Sequence, residues 1–455
     1  QTPSERPSIL ELGFNFVINS FSQIQIENLY EIYEKYFSEI SNLKLLNVIK
    51  YILKNKNTSD CLYRIANLFE NSKSLKHDLK KAVHYYTLAA NLNNIEAQYA
   101  IGLIYHEGKY VQHDNKKAIH YLTLAAEQND KKSLFMLAIV LLNGENIQKA
   151  IEYLTIASDL NHATSQTYLG IIYEGGLLGY RDMNKAIHYY TLAADQNFSE
   201  AQYLLGQIYF TANYVPRDMN KCIQYFTAAA DKNYLDAQFM LGGIYLYGLH
   251  IPKDINKAIH YLTMASKQNH LDSHFALGAI YYNMPGITVD VNKAIHFFSL
   301  AAKQNHAESL YYLGVIYSKG QYISKDIEKA INYFELAAKQ NNVYALFELG
   351  LIYNNDEYNQ YDIEKSIHYY TLAANKNHKE SQYNLGVIYF NINDIKKAIF
   401  YFTFAAYQNY DQAEFALGYI YLTGKYVPRD IDKAIYFLTL AANQNHSKAL
   451  YTLGA

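Results

Sequence analysis

The sequence of 455 residues predicts an all-α protein, an α-solenoid of about eleven helix-turn-helix repeats. Three observations carry that reading. First, a phrase close to DxxKAIHYxTLAAxQN returns eleven times, with lysines at Lys81, Lys117, Lys149, Lys185, Lys221, Lys257, Lys293, Lys329, Lys365, Lys397 and Lys433. The interval is 36 residues, shortened twice to 32. Second, another phrase, close to AQYxLGxIY, lies between the copies, as at Ala97–Tyr105, Ala201–Tyr209 and Ala237–Tyr245. Third, each phrase places its apolar residues on one helical face. A fixed period of this size belongs to stacked supersecondary units rather than to one globular core.

The first helix of a repeat reads from the second phrase: Ala201, Leu205, Ile208 and Tyr209 share a face. Its central position is Gly102, Gly170, Gly206, Gly242, Gly278, Gly314, Gly350, Gly386, Gly418 and Gly454, with Ala66 and Ala138 as substitutes. A glycine inside a helix costs about 1 kcal/mol against alanine. Its recurrence therefore needs a packing reason. The expected one is close approach of the partner helix's backbone, with alanine pairs such as Ala89–Ala90 and Ala193–Ala194 as the matching small surface.

A loop follows, and the two short repeats lose their four residues there, at 142–147 and 390–395. The stack should survive this, with only one rim altered, and that rim is a second candidate for partner contacts. The second helix then opens on an aspartate three residues before the lysine: Asp78, Asp114, Asp182, Asp218, Asp254, Asp290, Asp326, Asp362, Asp394 or Asp430. Asn146 fills the remaining slot. Such a side chain can accept from an orphan amide and face the positive helix end, for roughly 0.5–2 kcal/mol. Ala186, Ile187, Tyr190 and Ala194 form the apolar face of one such helix. An asparagine closes every copy, for example Asn129, Asn197, Asn233, Asn305 and Asn445. Asparagine tolerates the left-handed conformation that ends helices.

Taken together, A-x-x-x-L-G-x-x-Y, a glycine-containing loop and Y-V-x-x-D-x-x-K-A-x-x-Y-x-x-x-A-A resemble the Sel-one-like repeat branch of the tetratricopeptide superfamily. The clearest copies are 108–126 (GKYVQHDNKKAIHYLTLAA) and 424–442 (GKYVPRDIDKAIYFLTLAA). The resemblance runs from about Asp60 onward and implies a right-handed superhelix that binds other proteins or peptides in a concave groove. Two features depart from the family pattern: histidine is common where the family often has tryptophan, and asparagine replaces the closing glycine. The chain has no Trp at all.

The ends read differently. The chain starts on Gln1 and stops inside a helix of the first type, so it is expected to be part of a longer protein. Residues 2–12 (TPSERPSILEL) resemble the last motif of a protein kinase C-lobe, in which the arginine, here Arg6, buttresses the lobe. Residues 1–12 are accordingly expected to be a kinase remnant, without the glycine loop, catalytic aspartate or metal-binding aspartate of a working kinase. Residues 13–57 are helical in pattern, with stripes Leu29, Ile32, Tyr33, Tyr36, Phe37 and Leu45, Val48, Ile49, Ile52. They read as a linker and N-terminal cap, because the end of a solenoid needs a cover. The solenoid itself is expected to span 58–455.

Composition narrows the function classes. The formal net charge is -2, with 40 basic and 42 acidic residues, so no basic surface points to nucleic acid. No run of eighteen apolar residues suggests a membrane span. The two cysteines, Cys61 and Cys222, occupy positions held elsewhere by Ala or Ser and are expected to be buried and inert. They exclude a disulfide framework and favour a cytoplasmic location. Sequons at Asn57, Asn197 and Asn445 leave a lumenal adaptor as the alternative. No nucleophile elbow, zinc-protease motif, P-loop or dinucleotide turn occurs, so no catalytic residue, cofactor or enzymatic activity is assigned to this chain.

Histidine and tyrosine columns follow the repeat. His84, His120, His188, His260, His296 and His368 lie three residues after the lysine, and His162, His270, His306, His378 and His446 follow the closing asparagine. Successive members are separated by packed helices, roughly 10 Å each, whereas zinc needs ligands at about 2.0–2.3 Å from one centre. Both columns are therefore expected on the surface or along a groove, with no metal site. Tyr85, Tyr121, Tyr153, Tyr189, Tyr225, Tyr261, Tyr333, Tyr369 and Tyr401, with Phe297 and Phe437, form an invariant aromatic column expected in the core.

Partner specificity should instead lie where repeats differ. In the first helix the positions three before, one after and four after the glycine share a face. They read Tyr203, Gln207, Phe210; Phe239, Gly243, Leu246; Phe275, Ala279, Tyr282; Tyr311, Val315, Ser318; and Phe347, Leu351, Asn354. The candidate partner-binding residues are Tyr203, Gln207, Phe210, Phe239, Phe275, Tyr282, Tyr311, Phe347 and Asn354, an aromatic groove suited to an extended or helical peptide. The expected function is a protein-interaction scaffold or adaptor, the C-terminal arm of a kinase-containing signalling protein. A regulatory or dimerising segment of an enzyme is the rival.

Overall fold

The computed structural model describes residues 58–71 and 79–454, apart from Glu145, Leu178, Tyr214 and Asn359. The kinase-like opening, the proposed cap at 13–57 and the Asp78 cap lie outside the described residues. Among the described residues there are α-helices, one 3-10 turn at Asp356–Tyr358 and no strands. Helices α1 (Ser59–Asn71) and α2 (Leu79–Asn91) form the first pair, and the pattern continues to α21 (Asp411–Thr423) and α22 (Ile431–Asn443). A further helix, α23 (Ser447–Gly454), follows. The odd-numbered members carry the glycine phrase and are called A helices; the even-numbered ones carry the lysine phrase and are called B helices. The chain divides into two compact units, one ending at Lys232 and the other starting at Asn233, and each is an all-α stack of helix pairs.

Helix ends follow the sequence punctuation closely. The side chains of Asp114, Asn146, Asp182, Asp218 and Asp254 each accept from the backbone N–H of the lysine three residues on, at 3.0–3.3 Å. Asp290, Asp326, Asp362, Asp394 and Asp430 do the same at 3.0–3.1 Å. The closing asparagine is left-handed in all eleven repeats, with φ between 55° at Asn409 and 65° at Asn93 and Asn341. That conformation costs most residues but is open to asparagine. The loop deletions are equally local. In the long loops the N–H of the capping residue donates to the last tyrosine of the A helix, as from Asp114 to Tyr105 at 2.9 Å. In the short ones Asn146 donates to Leu141 and Asp394 to Tyr389, at 3.0 and 2.8 Å. The same closing bond forms with four residues fewer.

The recurring glycine has a different cause from the one expected. A Cβ on Gly206 would lie 2.5 Å from the Phe226 ring, on Gly170 2.4 Å from Tyr190, and on Gly102 2.7 Å from Leu122. The intruder is a large side chain of the B helix, not its backbone, and the alanine pairs are not what meets the glycine. The position five after the lysine supplies it, and it carries the core: Tyr190, Phe226, Phe298, Phe334 and Tyr370 are fully buried. Burying each such side chain is worth about 1.5–3 kcal/mol.

The invariant aromatic column, one residue earlier, is not the core. All eleven members from Tyr85 to Phe437 are only half-buried. Ten of them, all but Tyr153, stack nearly parallel on the ring three residues after the A-helix glycine or alanine, as Tyr105–Tyr121 at 6.1 Å and Tyr389–Tyr401 at 5.6 Å. The repeat lysine lies over that same A-helix ring, for example Lys117 Nζ 4.9 Å from the Tyr105 centroid and Lys397 Nζ 4.8 Å from that of Tyr389. Invariance here marks a surface stack of lysine and two rings, whereas the core position varies freely among Tyr, Phe and Leu.

A polar ladder that the sequence reading missed joins consecutive repeats. The glutamine four residues after the A-helix N-cap is buried at Gln98, Gln166, Gln202, Gln238 and Gln382. Its amide donates to a carbonyl of the preceding B helix, as from Gln166 to Ser158 at 3.2 Å. In four of the five its own oxygen accepts from the glutamine of the following QN pair, as from Gln128 to Gln98, Gln268 to Gln238, and Gln408 to Gln382, each at 2.8 Å. Gln202 Oε1 has no partner among the described residues, because Lys232 stands at that place. Paired in this way, buried amides cost little and fix the register between repeats.

Candidate protein-binding groove

The glycine packs against a large B-helix side chain, and the residue three before it packs on that same side chain, as Tyr203 on Phe226 and Phe347 on Tyr370. The aromatic members are not free rings. Tyr203 packs on Phe226 with centroids 5.6 Å apart, and its hydroxyl accepts from Gln207 Nε2 at 2.7 Å. Phe239, Phe275 and Phe347 each pack on the histidine that opens the next A helix, at 4.6, 4.9 and 4.8 Å. Phe275, Tyr282 and Tyr311 join through Tyr312 in one aromatic cluster, with centroids 5.4–6.0 Å apart. Burial and nearby Glu348 push the Tyr311 phenol up to about 12. Tyr203, Gln207, Phe210, Phe239, Phe275, Tyr282, Tyr311 and Phe347 are all half-buried, and Asn354 is exposed at the end of α17 (Val343–Tyr353).

The same columns elsewhere open into clefts. In the first unit Tyr63, Asn67 and Glu70 of α1 and Tyr99 and Leu103 of α3 (Ile95–Glu107) line a cleft of 510 Å³. In the second, Phe415, Tyr419 and Tyr451 line a shallower one of 350 Å³. The nine predicted residues line neither of these two clefts. The residue after the glycine is exposed in some repeats, Ile171 at 38%, Leu351 at 37% and Tyr419 at 49%, and covered in others, with Val315 buried and Leu103, Gln207, Ala279 and Val387 half-buried. The sequence reading weighted the aromatic position, which packing half consumes, above this one. The change from polar to apolar along the second column was the available signal.

The histidine columns divide. His84, His120, His188, His260, His296 and His368 are exposed, as expected. The other column is half-buried and serves as a helix cap. His270, His306 and His378 accept through Nδ1 from the N–H of Ser273, Ser309 and Ser381, at 3.2, 3.2 and 3.3 Å. Burial holds His162 and His378 below the ordinary imidazole value, with Glu380 partly opposing it at His378. Among the described residues no three His, Cys, Asp or Glu side chains are grouped to hold a metal ion. Cys222 is buried, and burial pushes its thiol up to about 12; Cys61 is only half-buried, against expectation. No helix of the described residues is long and apolar enough to cross a membrane.

The groove is thus a helical surface built from shape and apolar contact, with no reactive constellation on it. Comparisons with known proteins agree with this architecture. No curated protein matches the chain. A protective antigen of uropathogenic Escherichia coli with an SLR fold is 23% identical, with TM-score 0.62 over 89% of this chain and 88% of that one. A Sel1 repeat protein of Oxalobacter formigenes is 22% identical, with TM-score 0.50 over 66% and 88%. These likenesses speak to the fold. The model of the Sel1 repeat matches eleven consecutive segments from 59–94 to 411–446, whose boundaries fall between the helix pairs described above. The chain belongs to the Sel1 repeat family.

Proposed function

We propose that this chain is a protein-interaction scaffold whose A-helix face binds a peptide or helix of a partner protein. The observation that carries this is the exposure of three apolar side chains that follow the glycine, Ile171, Leu351 and Tyr419, beside partly packed aromatic rings. Side chains at that position change from repeat to repeat while the scaffold positions do not, as expected where a surface is selected for a partner. Charged leucine-column variants test it. The wild-type chain should capture a partner protein from lysate, and Leu351→Glu with Ile171→Glu should abolish that capture and leave the helical circular dichroism unchanged. Retention of that protein by the double variant would sink the reading.

The finer reading, a recruitment arm of a kinase-containing cytoplasmic signalling protein, is supported by residues 2–12 and by the low cysteine content alone. Reading the coding sequence upstream of Gln1 tests it directly. A dimerising role is favoured by one separate feature. On α20 (Ile395–Tyr407) Phe400, Phe404 and Tyr407 form an exposed stripe, with Tyr407 79% exposed, where other repeats carry His, aliphatic or polar side chains apart from Tyr436 at the Phe400 position. Sedimentation of Phe400→Ser/Tyr407→Ser against wild type would separate a dimer contact from an inert patch.

A further inference from the structure

We propose that the cleft of the first three repeats takes an extended, lysine- or arginine-bearing peptide segment; this rests on the partner-binding reading above and names its partner chemistry. The floor is apolar and aromatic: Tyr63 and Tyr99 flank Ala100 and Leu103. Four carboxylates line the same cleft, Glu70, Glu96, Glu107 and Asp130, against two ammonium groups, Lys109 and Lys132. One of those cations is already engaged, since Lys109 Nζ sits 5.0 Å from the centre of the Tyr110 ring.

The carboxylates are arranged, not scattered. Glu70 is held by two phenols, Tyr86 donating at 2.8 Å and Tyr110 at 3.4 Å. These bonds fix its carboxylate in the lining of the cleft between α1 and α3. Burial raises the phenols of Tyr63 and Tyr99; Glu96 and Glu70 add to this at Tyr63, where a bond with Asn67 opposes it, and Asp130 and Glu107 add to it at Tyr99. Both floor rings thus lie in a field of negative charge. A cation placed over such a ring gains from its π face and from the carboxylates together, while its aliphatic stem covers Leu103. An acidic or neutral segment gains only the apolar part. The second unit keeps an acid at the Glu96 position in Asp236, Asp272 and Glu308. The Glu70 position, however, becomes Leu246, Tyr282 and Ser318 and the Glu107 position Tyr247, Asn283 and Lys319, so the paired carboxylates of this cleft are not repeated there.

The test uses the full chain and two labelled probes, an acetylated and amidated Lys-Leu-Lys-Leu-Lys peptide and its Glu-Leu-Glu-Leu-Glu counterpart, read by fluorescence anisotropy. The lysine peptide should bind at least tenfold tighter, and the preference should shrink with added salt because the rim is exposed. Glu96→Lys/Glu107→Lys should erase it, and Glu96→Gln/Glu107→Gln should reduce it severalfold. Glu328→Lys/Glu364→Lys makes the same charge change on exposed B-helix positions of the second unit and should leave it within twofold. Equal losses from the cleft and control variants would mean a diffuse charge effect and overturn the proposal, as would equal binding of the two peptides. Loss of partner capture by the Leu351 and Ile171 variants, together with no lysine preference, would sink this inference and spare the scaffold.

Discussion

Two adjacent glycines in α11 (Leu235–Tyr247) separate the two reasons a helix can carry that residue. A Cβ on Gly242 would stand 2.7 Å from Leu262 Cγ and Cδ2, whereas nothing lies within 4 Å of one on Gly243. Helix propensity alone favours alanine at both by about 1 kcal/mol. At Gly242 that gain must be set against overpacking of a buried leucine, typically about 1–3 kcal/mol. Gly243→Ala should therefore raise resistance to urea and Gly242→Ala should lower it, measured on otherwise identical chains. Effects of the same sign at both positions would mean that the leucine moves aside freely. The glycine's recurrence was legible from spacing, and so was the need for a packing cause. The cause itself was not, because the residue that fills the space changes among Tyr, Phe and Leu and so breaks no pattern in the sequence.

Helix spans and ends were the most legible elements. Asp and Asn at fixed offsets declare both ends of each B helix, and the structure uses each described one in that way. The start of the A helices was not legible, because histidine is a rare cap and a column of histidines reads first as surface. His378 illustrates the consequence. Its Nδ1 accepts from the Ser381 N–H at 3.3 Å, and only neutral imidazole can do so. Burial lowers its pKa, so the cap's contribution is present above the ordinary imidazole value and is lost as pH falls through the lower folded value. His378→Asn keeps an acceptor that does not titrate. Its stability relative to wild type should thus rise by about 0.5–2 kcal/mol between pH 8 and pH 5, the usual worth of a cap. Amide exchange in α19 (Lys379–Asn391) gives the measurement. A pH-independent difference would show that the ring's packing on Phe347, not its bond to Ser381, is what matters. The candidate groove was legible as a face but not as a set of residues, since ring packing between neighbours decides which aromatics remain open.

In a solenoid the whole is held by contacts between neighbouring repeats, so a register device repeated along the stack matters more than any one core residue. The glutamine ladder is such a device where it occurs, and Glu414 changes its chemistry. At the buried position that is Gln98, Gln166, Gln202, Gln238 or Gln382 in five repeats, and Leu134, His274, Leu310 or Leu346 in others, α21 carries Glu414. One carboxyl oxygen accepts from Gln444 Nε2 at 2.8 Å, as the ladder requires, while Oε1 is buried without a hydrogen-bond partner. In the glutamine repeats the atom at that place is an amide nitrogen that donates to the carbonyl eight residues earlier, which here belongs to Ala406. A carboxylate offers an acceptor where a donor is wanted; a protonated carboxyl offers the donor. Burial, the largest cause, and Asp411 raise the Glu414 pKa, while Gln444 opposes them. For an acid so raised, the folded state binds the extra proton, so its stabilising contribution is complete below the ordinary carboxylate value and is lost as pH rises through the folded value. Glu414→Gln supplies the donor at every pH. The variant should match wild type near pH 4 and exceed it by roughly 1–3 kcal/mol at pH 8, the worth of satisfying one buried polar group. Amide exchange of α21 and α22 reads this locally, which suits an array whose repeats open separately. A variant weaker than wild type at all pH values would show that the carboxylate is satisfied as it stands and that the ladder does not set the register there.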